Sequence, residues 1–198
     1  MPDIDLDNLP SYAELSQRED APKGSSWGLF GEDDQLGTVN FLTPERVAAA
    51  ARLVRKGAVF SLNLPLHLPD PPLFNRGRYR HNIRRFDPGV GHDDHLDNFY
   101  LQASSQWDSL AHVGHPRHGL YNGVQPEAVT GEEGSKNGLD HWARRGIVGR
   151  GVLLDVARHL EAQGDPIDAM SSRAIMVAEL DATANAQNVA VEPGDILL

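Results

Sequence analysis

Gly151-Val152-Leu153-Leu154-Asp155-Val156 is the stretch that decides the fold class. It is an apolar run bounded by glycine and charge, the pattern of a strand buried at the centre of a sheet. Working outward, Leu139 to Arg145 reads as one short helix closed by Gly146. Residues 171–188 read as weakly helical, with Ser171 or Ser172 as the cap. Further back lies the clearest helix of the chain: Thr43 is the N-cap, Pro44 suits the first helical position, and Val47, Ala50, Ala51 and Val54 form an apolar stripe that ends before Gly57. Ala58-Val59-Phe60-Ser61-Leu62-Asn63-Leu64 alternates like a half-buried strand and is stopped by Pro65. At the other end, Glu192-Pro193-Gly194-Asp195 is a turn signal leading into the apolar Ile196-Leu197-Leu198. Termini are usually exposed and polar, so this ending predicts a chain truncated within a strand.

The 198 residues are enough to bury a core, and the expectation is one domain over 1–198. The formal net charge is −10, with Lys and Arg scattered, which argues against a nucleic-acid partner. There is no cysteine, so disulfides and thiolate metal sites are excluded, and any metal is left to His, carboxylate, amide or water. No apolar run is long enough for a membrane span, and Met1-Pro2-Asp3-Ile4-Asp5 is acidic where a secretory signal would be basic; a soluble, cytoplasmic protein is expected. Residues 1–26, broken by Pro10, Pro22 and Gly24, read as an extended arm. From Trp27 to Asn40 an ordered surface loop is expected. The segment from Leu68 to Gly91, with Pro69, Pro71, Pro72, Pro88 and several arginines, reads as a long loop or flap, and loops of that length are uncommon unless functional.

The chemistry concentrates in Gln106-Trp107-Asp108-Ser109-Leu110-Ala111-His112. This run follows Phe99-Tyr100-Leu101 and the hydroxyls Ser104 and Ser105, which predicts a strand, a tight turn and the first turn of a helix. Asp108 and His112 would then share one face. In a functional reading Asp108 ligates a divalent cation, and His112 ligates it too or acts as general base. The spacing equally suits a carboxylate at a helix N-terminus with a solvated imidazole one turn later. Gln102 and Gln106, four apart, offer neutral amide oxygens suited to manganese, magnesium or calcium; backbone capping is their other use. His112, His115 and His118 recur every third residue, but Gly114, Pro116 and Gly119 argue against one helix through them. His92 and His95 sit in what reads as an exposed acidic turn. Trp107 is either core or a stacking surface for a planar substrate. With no serine-nucleophile elbow and no cysteine, an enzyme built on these residues would use an activated water.

Several blocks together resemble the cyclase family of metal-dependent hydrolases, the group that includes bacterial kynurenine formamidase and isatin hydrolase. They are Trp27-Gly28 with Asp33-Asp34-Gln35-Leu36-Gly37-Thr38-Val39-Asn40-Phe41-Leu42-Thr43-Pro44-Glu45, then Gln106 to Val113, Tyr121-Asn122-Gly123, and Gly146 to Asp155. The family signature, His-x-Gly-Thr-His-x-Asp-x-Pro-x-His, falls with Gln102 and Gln106 at its first two histidines, Asp108 at the aspartate, Leu110 at the proline and His112 at the last histidine. Two imidazole ligands are therefore amides here, in a Gln-Trp-Asp version that looks like a longer branch of the family.

The resemblance implies an α/β fold, a mixed central β-sheet flanked by helices of the swivelling β/α type, incomplete at its C-terminus. It implies an arylformamidase-like or cyclic-amide hydrolase of the kind that serves tryptophan catabolism, acting on a small-molecule amide through a metal-bound water, and a homo-oligomer without nucleic-acid or membrane partners. A divalent cation, Mn or Zn, would be held by Asp108, Gln106 and Gln102, with His112 catalytic and Trp107, His115, Tyr121 and Asn122 binding substrate. The other reading is a catalytically inactive protein on the same fold, a scaffold or a binder of a small acid under the arginine-bearing loop.

Overall fold

The computed structural model describes residues 8–198. The acidic Met1 to Asp5 start and the beginning of the expected arm lie outside the described residues. In chain order the elements are α1 (Tyr12–Leu15), α2 (Pro44–Ala51), β1 (Arg80–Arg85), β2 (His92–Asp97), α3 (Leu139–Arg145), β3 (Gly151–Val152), α4 (Val156–Ala162), α5 (Val177–Gln187) and β4 (Ile196–Leu197), with short 3-10 turns between them. They fall into two compact units, one made of the described residues up to Lys56 with Asp140–Leu198, the other of Gly57–Leu139. No helix among the described residues is long and apolar enough to cross a membrane.

The first unit carries most of the buried apolar side chains: Ala21, Phe30, Val39, Leu42, Val152, Leu154 and Leu160. Its arm is not wholly extended, because Ser11 caps α1, accepting from Glu14 N at 3.3 Å while Ser11 N donates to Glu14 Oε2 at 2.7 Å. That reciprocal pair satisfies two helix-end donors locally and needs no tertiary support. Helix α2 begins as its sequence predicts, with Thr43 Oγ1 accepting from Arg46 N and Pro44 at the first position. Around it, Arg46 Nη1 donates to Phe41 O at 2.8 Å, Trp142 Nε1 donates to Leu36 O at 3.2 Å, and Arg145 donates to Leu42 O. Phe30 stands edge-on to Phe41, ring centroids 5.1 Å apart.

The run that reads as a central strand forms a much smaller element. Only Gly151–Val152 is a strand, paired in parallel with β4. Val152 and Leu154 are buried, but Leu153 between them is 63% exposed, so only one face is covered. Asp155 leaves the strand to cap α4, accepting from Arg158 N at 3.1 Å, and Gln187 of α5 continues the pairing by accepting from Asp155 N and donating to Leu153 O, each at 2.7 Å. Helix α5 starts at Val177 rather than at Ser171 or Ser172, because Glu179 reaches back to accept from Met176 N at 2.7 Å.

In the second unit β1 and β2 form an antiparallel hairpin, Arg80 opposite Asp97 through Arg85 opposite His92. Within the expected 68–91 flap only Arg80–Arg85 is strand, the rest being irregular as read, and His92 and His95 lie on β2 rather than in a turn. Residues 58–64 are not a strand: their alternation is present, but no neighbouring strand pairs with them among the described residues, and Val59 and Phe60 are 92% and 81% exposed. The described residues thus hold two two-stranded sheets in place of one mixed central sheet. A strand needs partners for its backbone, and pattern alone does not supply them. Leu120, Tyr121 and Asn137 are this unit's buried residues, with Asn137 Nδ2 donating to Tyr121 O at 3.0 Å.

Candidate active site

The run from Leu101 to His112 lies within the second unit. Leu101–Ala103 is a single 3-10 turn where a strand end is expected. Two serines then anchor the chain: Ser105 Oγ accepts from Leu64 N at 2.9 Å, and Ser104 Oγ donates to Pro65 O at 3.2 Å. From Asp108 onward the expected helix does not form. Ser109 Oγ takes Ala111 N at 3.3 Å, and His112 N closes a turn on Ser109 O at 3.0 Å. A serine that bonds its own nearby backbone competes with helix, and Gly114 and Pro116 prevent further turns. One turn is still enough to bring the side chains together. His112 Nδ1 stands 3.0 Å from Asp108 Oδ2, and Gln106 Nε2 donates to Asp108 Oδ1 at 2.8 Å.

Both carboxylate oxygens therefore face donors. Asp108 is held below the ordinary aspartate range, first by the Gln106 hydrogen bond and then, more weakly, by His112 and the positive field of Arg76, against an opposing effect of partial burial that is second only to the Gln106 bond. An ionised carboxylate only accepts, so Nδ1 of His112 is the donor in this contact.

These groups line an open cleft of about 330 Å³ together with Gln102, Leu64, Phe74 and Arg76. Gln102, Gln106, Asp108 and His112, chosen from sequence, are thus brought to one cleft. The other candidates are not. Trp107 is 55% exposed and does not line it. His115 bridges to Gly119 and its Nδ1 accepts from Arg117 N at 3.2 Å, with its ring 4.7 Å from that of His118. Tyr121 is buried, its carbonyl serving Asn137, and Asn122 sits at a left-handed φ of 56° in the same 3-10 turn. A second cavity of about 240 Å³ in this unit is lined by Leu66, His67, Tyr79, Phe99 and Tyr100, with an Arg78–Asp70 ion pair of 2.6 Å. Arg76 is a residue that sequence reasoning passed over. Its signal, one arginine among several between Leu68 and Gly91, is weak without the turn that aims it.

The donor chemistry fits a hard divalent cation through one carboxylate, one imidazole and two amides. Gln106 presents its amide nitrogen to Asp108, and a half-turn about its last bond would present the oxygen instead. Among the described residues no three His, Cys, Asp or Glu side chains converge on one point, so the amides are part of any such set.

No protein-family model matches the chain, and no curated protein matches it. Among solved structures it is similar to the crystal structure of a novel cyclase, at 33% identity and a TM-score of 0.75 over 87% of this chain. The chain spans 60% of the length of that cyclase. The likeness to that cyclase thus extends over most of this chain.

Proposed function

We propose that the chain contributes the Asp108–His112 pair to a metal-dependent hydrolase that cleaves the C–N bond of an amide, of arylformamidase or cyclic-amide type. The observation that carries this reading is the 3.0 Å contact between Asp108 and His112 in a cleft shared with Gln102 and Gln106, in a chain similar to a cyclase. Asp108, with Gln102 and Gln106, would hold a divalent cation, Mn or Zn. When bound, such an ion acidifies a water and polarises a carbonyl. The work of the chain's own residues is the handling of protons. Asp108 fixes the His112 tautomer and ring orientation through Nδ1, as a carboxylate behind a catalytic imidazole does. Nε2 of His112 then takes a proton from the attacking water and returns it to the departing nitrogen, a role that contributes about 100- to 10,000-fold in rate.

The engagement of both Asp108 oxygens by protein donors favours one other reading, a binding protein on the same fold in which this network shapes the pocket and performs no reaction. Metal analysis and hydrolysis separate the two. The hydrolase reading expects about one divalent cation per site, a requirement of single-ion metal catalysis, and turnover of formylated arylamines that Asp108→Ala and His112→Ala each reduce at least 100-fold, the lower end for a lost general base. A protein that binds no divalent cation, with any hydrolysis indifferent to both substitutions, overturns it.

A further inference from the structure

Arg76 lines the same cleft as Asp108 and His112, half-buried. Its guanidinium carbon stands 5.0 Å over the ring of Phe74, a cation–π seat that holds the head group without neutralising it. Among the described residues it makes no ion pair, and its side chain donates no hydrogen bond; Arg78, two residues on, is by contrast paired to Asp70 at 2.6 Å. The turn that aims Arg76 is costly. Phe74 and Asn75 have φ of 59° and 58°, and Arg76 N closes on Leu73 O at 3.3 Å. Left-handed backbone is tolerable for asparagine but rare for a bulky phenylalanine, and such outliers gather at functional sites. The same turn leaves Phe74 80% exposed, so what it achieves is placement of a ring and of the cation above it, with no gain in core packing.

A guanidinium presents five donors in a rigid fork matched to a carboxylate, and in a partly desolvated cleft an unpaired one is a receptor awaiting an anion. Asp108 is near enough to feel its field, yet Asp108 already has donors on both oxygens. We propose that Arg76 is the anion-binding residue of this cleft and selects ligands that carry a carboxylate, so that the amide hydrolysed is an acidic one. The substrate class rests on the hydrolase reading above; the carboxylate site does not.

The test uses two pairs of probes. Calorimetry with benzoate and its uncharged counterpart benzamide reads binding alone. The wild-type protein should prefer benzoate, Arg76→Ala should weaken benzoate about 10- to 100-fold, as loss of a charged hydrogen-bond pair does, and Arg76→Lys should restore part of it. Arg78→Ala should leave benzoate unchanged, which excludes the neighbouring aromatic cavity. Steady-state hydrolysis of 2-formamidobenzoate and formanilide reads the substrate preference, with Arg76→Ala raising the KM for the acidic substrate far more than that for formanilide. Benzoate binding that depends on Arg76 in a protein that hydrolyses neither amide supports the anion site and overturns the hydrolase reading. Hydrolysis of both amides with no preference, unchanged by Arg76→Ala, leaves the hydrolase reading standing and overturns this one, as does benzoate binding lost in Arg78→Ala but kept in Arg76→Ala.

Discussion

In the unit formed by the residues up to Lys56 with Asp140–Leu198, Phe30 is 2% exposed and meets Phe41 edge-on, whereas in Gly57–Leu139 Phe74 is 80% exposed on a left-handed turn under an arginine. The same residue type does two different jobs. In the first unit, apolar side chains hold one another and backbone groups are satisfied by caps and by Arg and Trp donors. In the second, polar side chains are held by serine hydroxyls, tight turns and each other, and large apolar side chains such as Phe60 and Phe74 lie in solvent. Chemistry is gathered in the unit with the smaller core, where turns can aim polar groups that close packing would exclude. Substituting the two phenylalanines tests the contrast most strongly. Phe30→Ala should destabilise by about 3–5 kcal/mol, transfer and cavity terms together. Phe74→Ala should change stability by less than about 0.5 kcal/mol, as an exposed position does. Urea unfolding of both variants reads the difference, and equal shifts would erase the distinction between the units.

A smaller effect probes the local devices of the first unit. Thr43→Ala removes the side-chain acceptor for Arg46 N at the start of α2 and should cost about 1 kcal/mol, the usual worth of such a cap. Thermal melting followed by circular dichroism measures it. A loss near zero would mean that α2 is held by its surroundings, Arg46 to Phe41 among them, rather than by its own end.

That helix shows what the sequence makes legible. Thr43 and Pro44 act within the first turn, so their reading needs no knowledge of the rest of the chain, whereas Val54 of the expected stripe lies beyond α2 and is 71% exposed. Leu139 to Arg145 is the same case, with Gly146 at a left-handed φ of 73° ending α3 where its sequence places the stop. Strands are different. Ala58 to Leu64 has the alternation and Gly151 to Val156 the apolar run, but a strand is made by its neighbour: the first has none among the described residues and the second has β4 for two residues only. At the site, Asp108 and His112 meet for a reason other than the expected one, since a single Ser109-centred turn and a helical turn both bring i and i+4 together. Arg76 was illegible because its placement depends on two left-handed residues, and only Asn75 hints at such a conformation. Trp107, His115, Tyr121 and Asn122 came from the family resemblance, and none of the four lines the cleft.

Two carboxylates, one in each unit, give the finest form of the comparison. Asp108 is lowered mainly by a neutral amide, and Glu179 by the Met176 backbone N–H and then by Arg173, which also binds Asp165 at 2.8 Å and meets Glu179 at 2.7 Å. Glu179 serves the fold: it ties down the start of α5, while Thr183, wholly buried, donates to its backbone carbonyl at 2.7 Å. Because its pKa in the folded chain lies below the unfolded value, its contribution is fully present above the unfolded pKa. It is lost as pH falls through the folded pKa, when the carboxyl protonates and both partners lose a charged acceptor. Glu179→Gln keeps an oxygen for Met176 N but gives up the charge permanently. The variant should therefore be slightly less stable than the parent at neutral pH, and the two should converge in acid below the folded pKa. Paired urea midpoints across that range measure the gap, and a gap that stays constant with pH would mean that Glu179 acts through shape and hydrogen bonding alone.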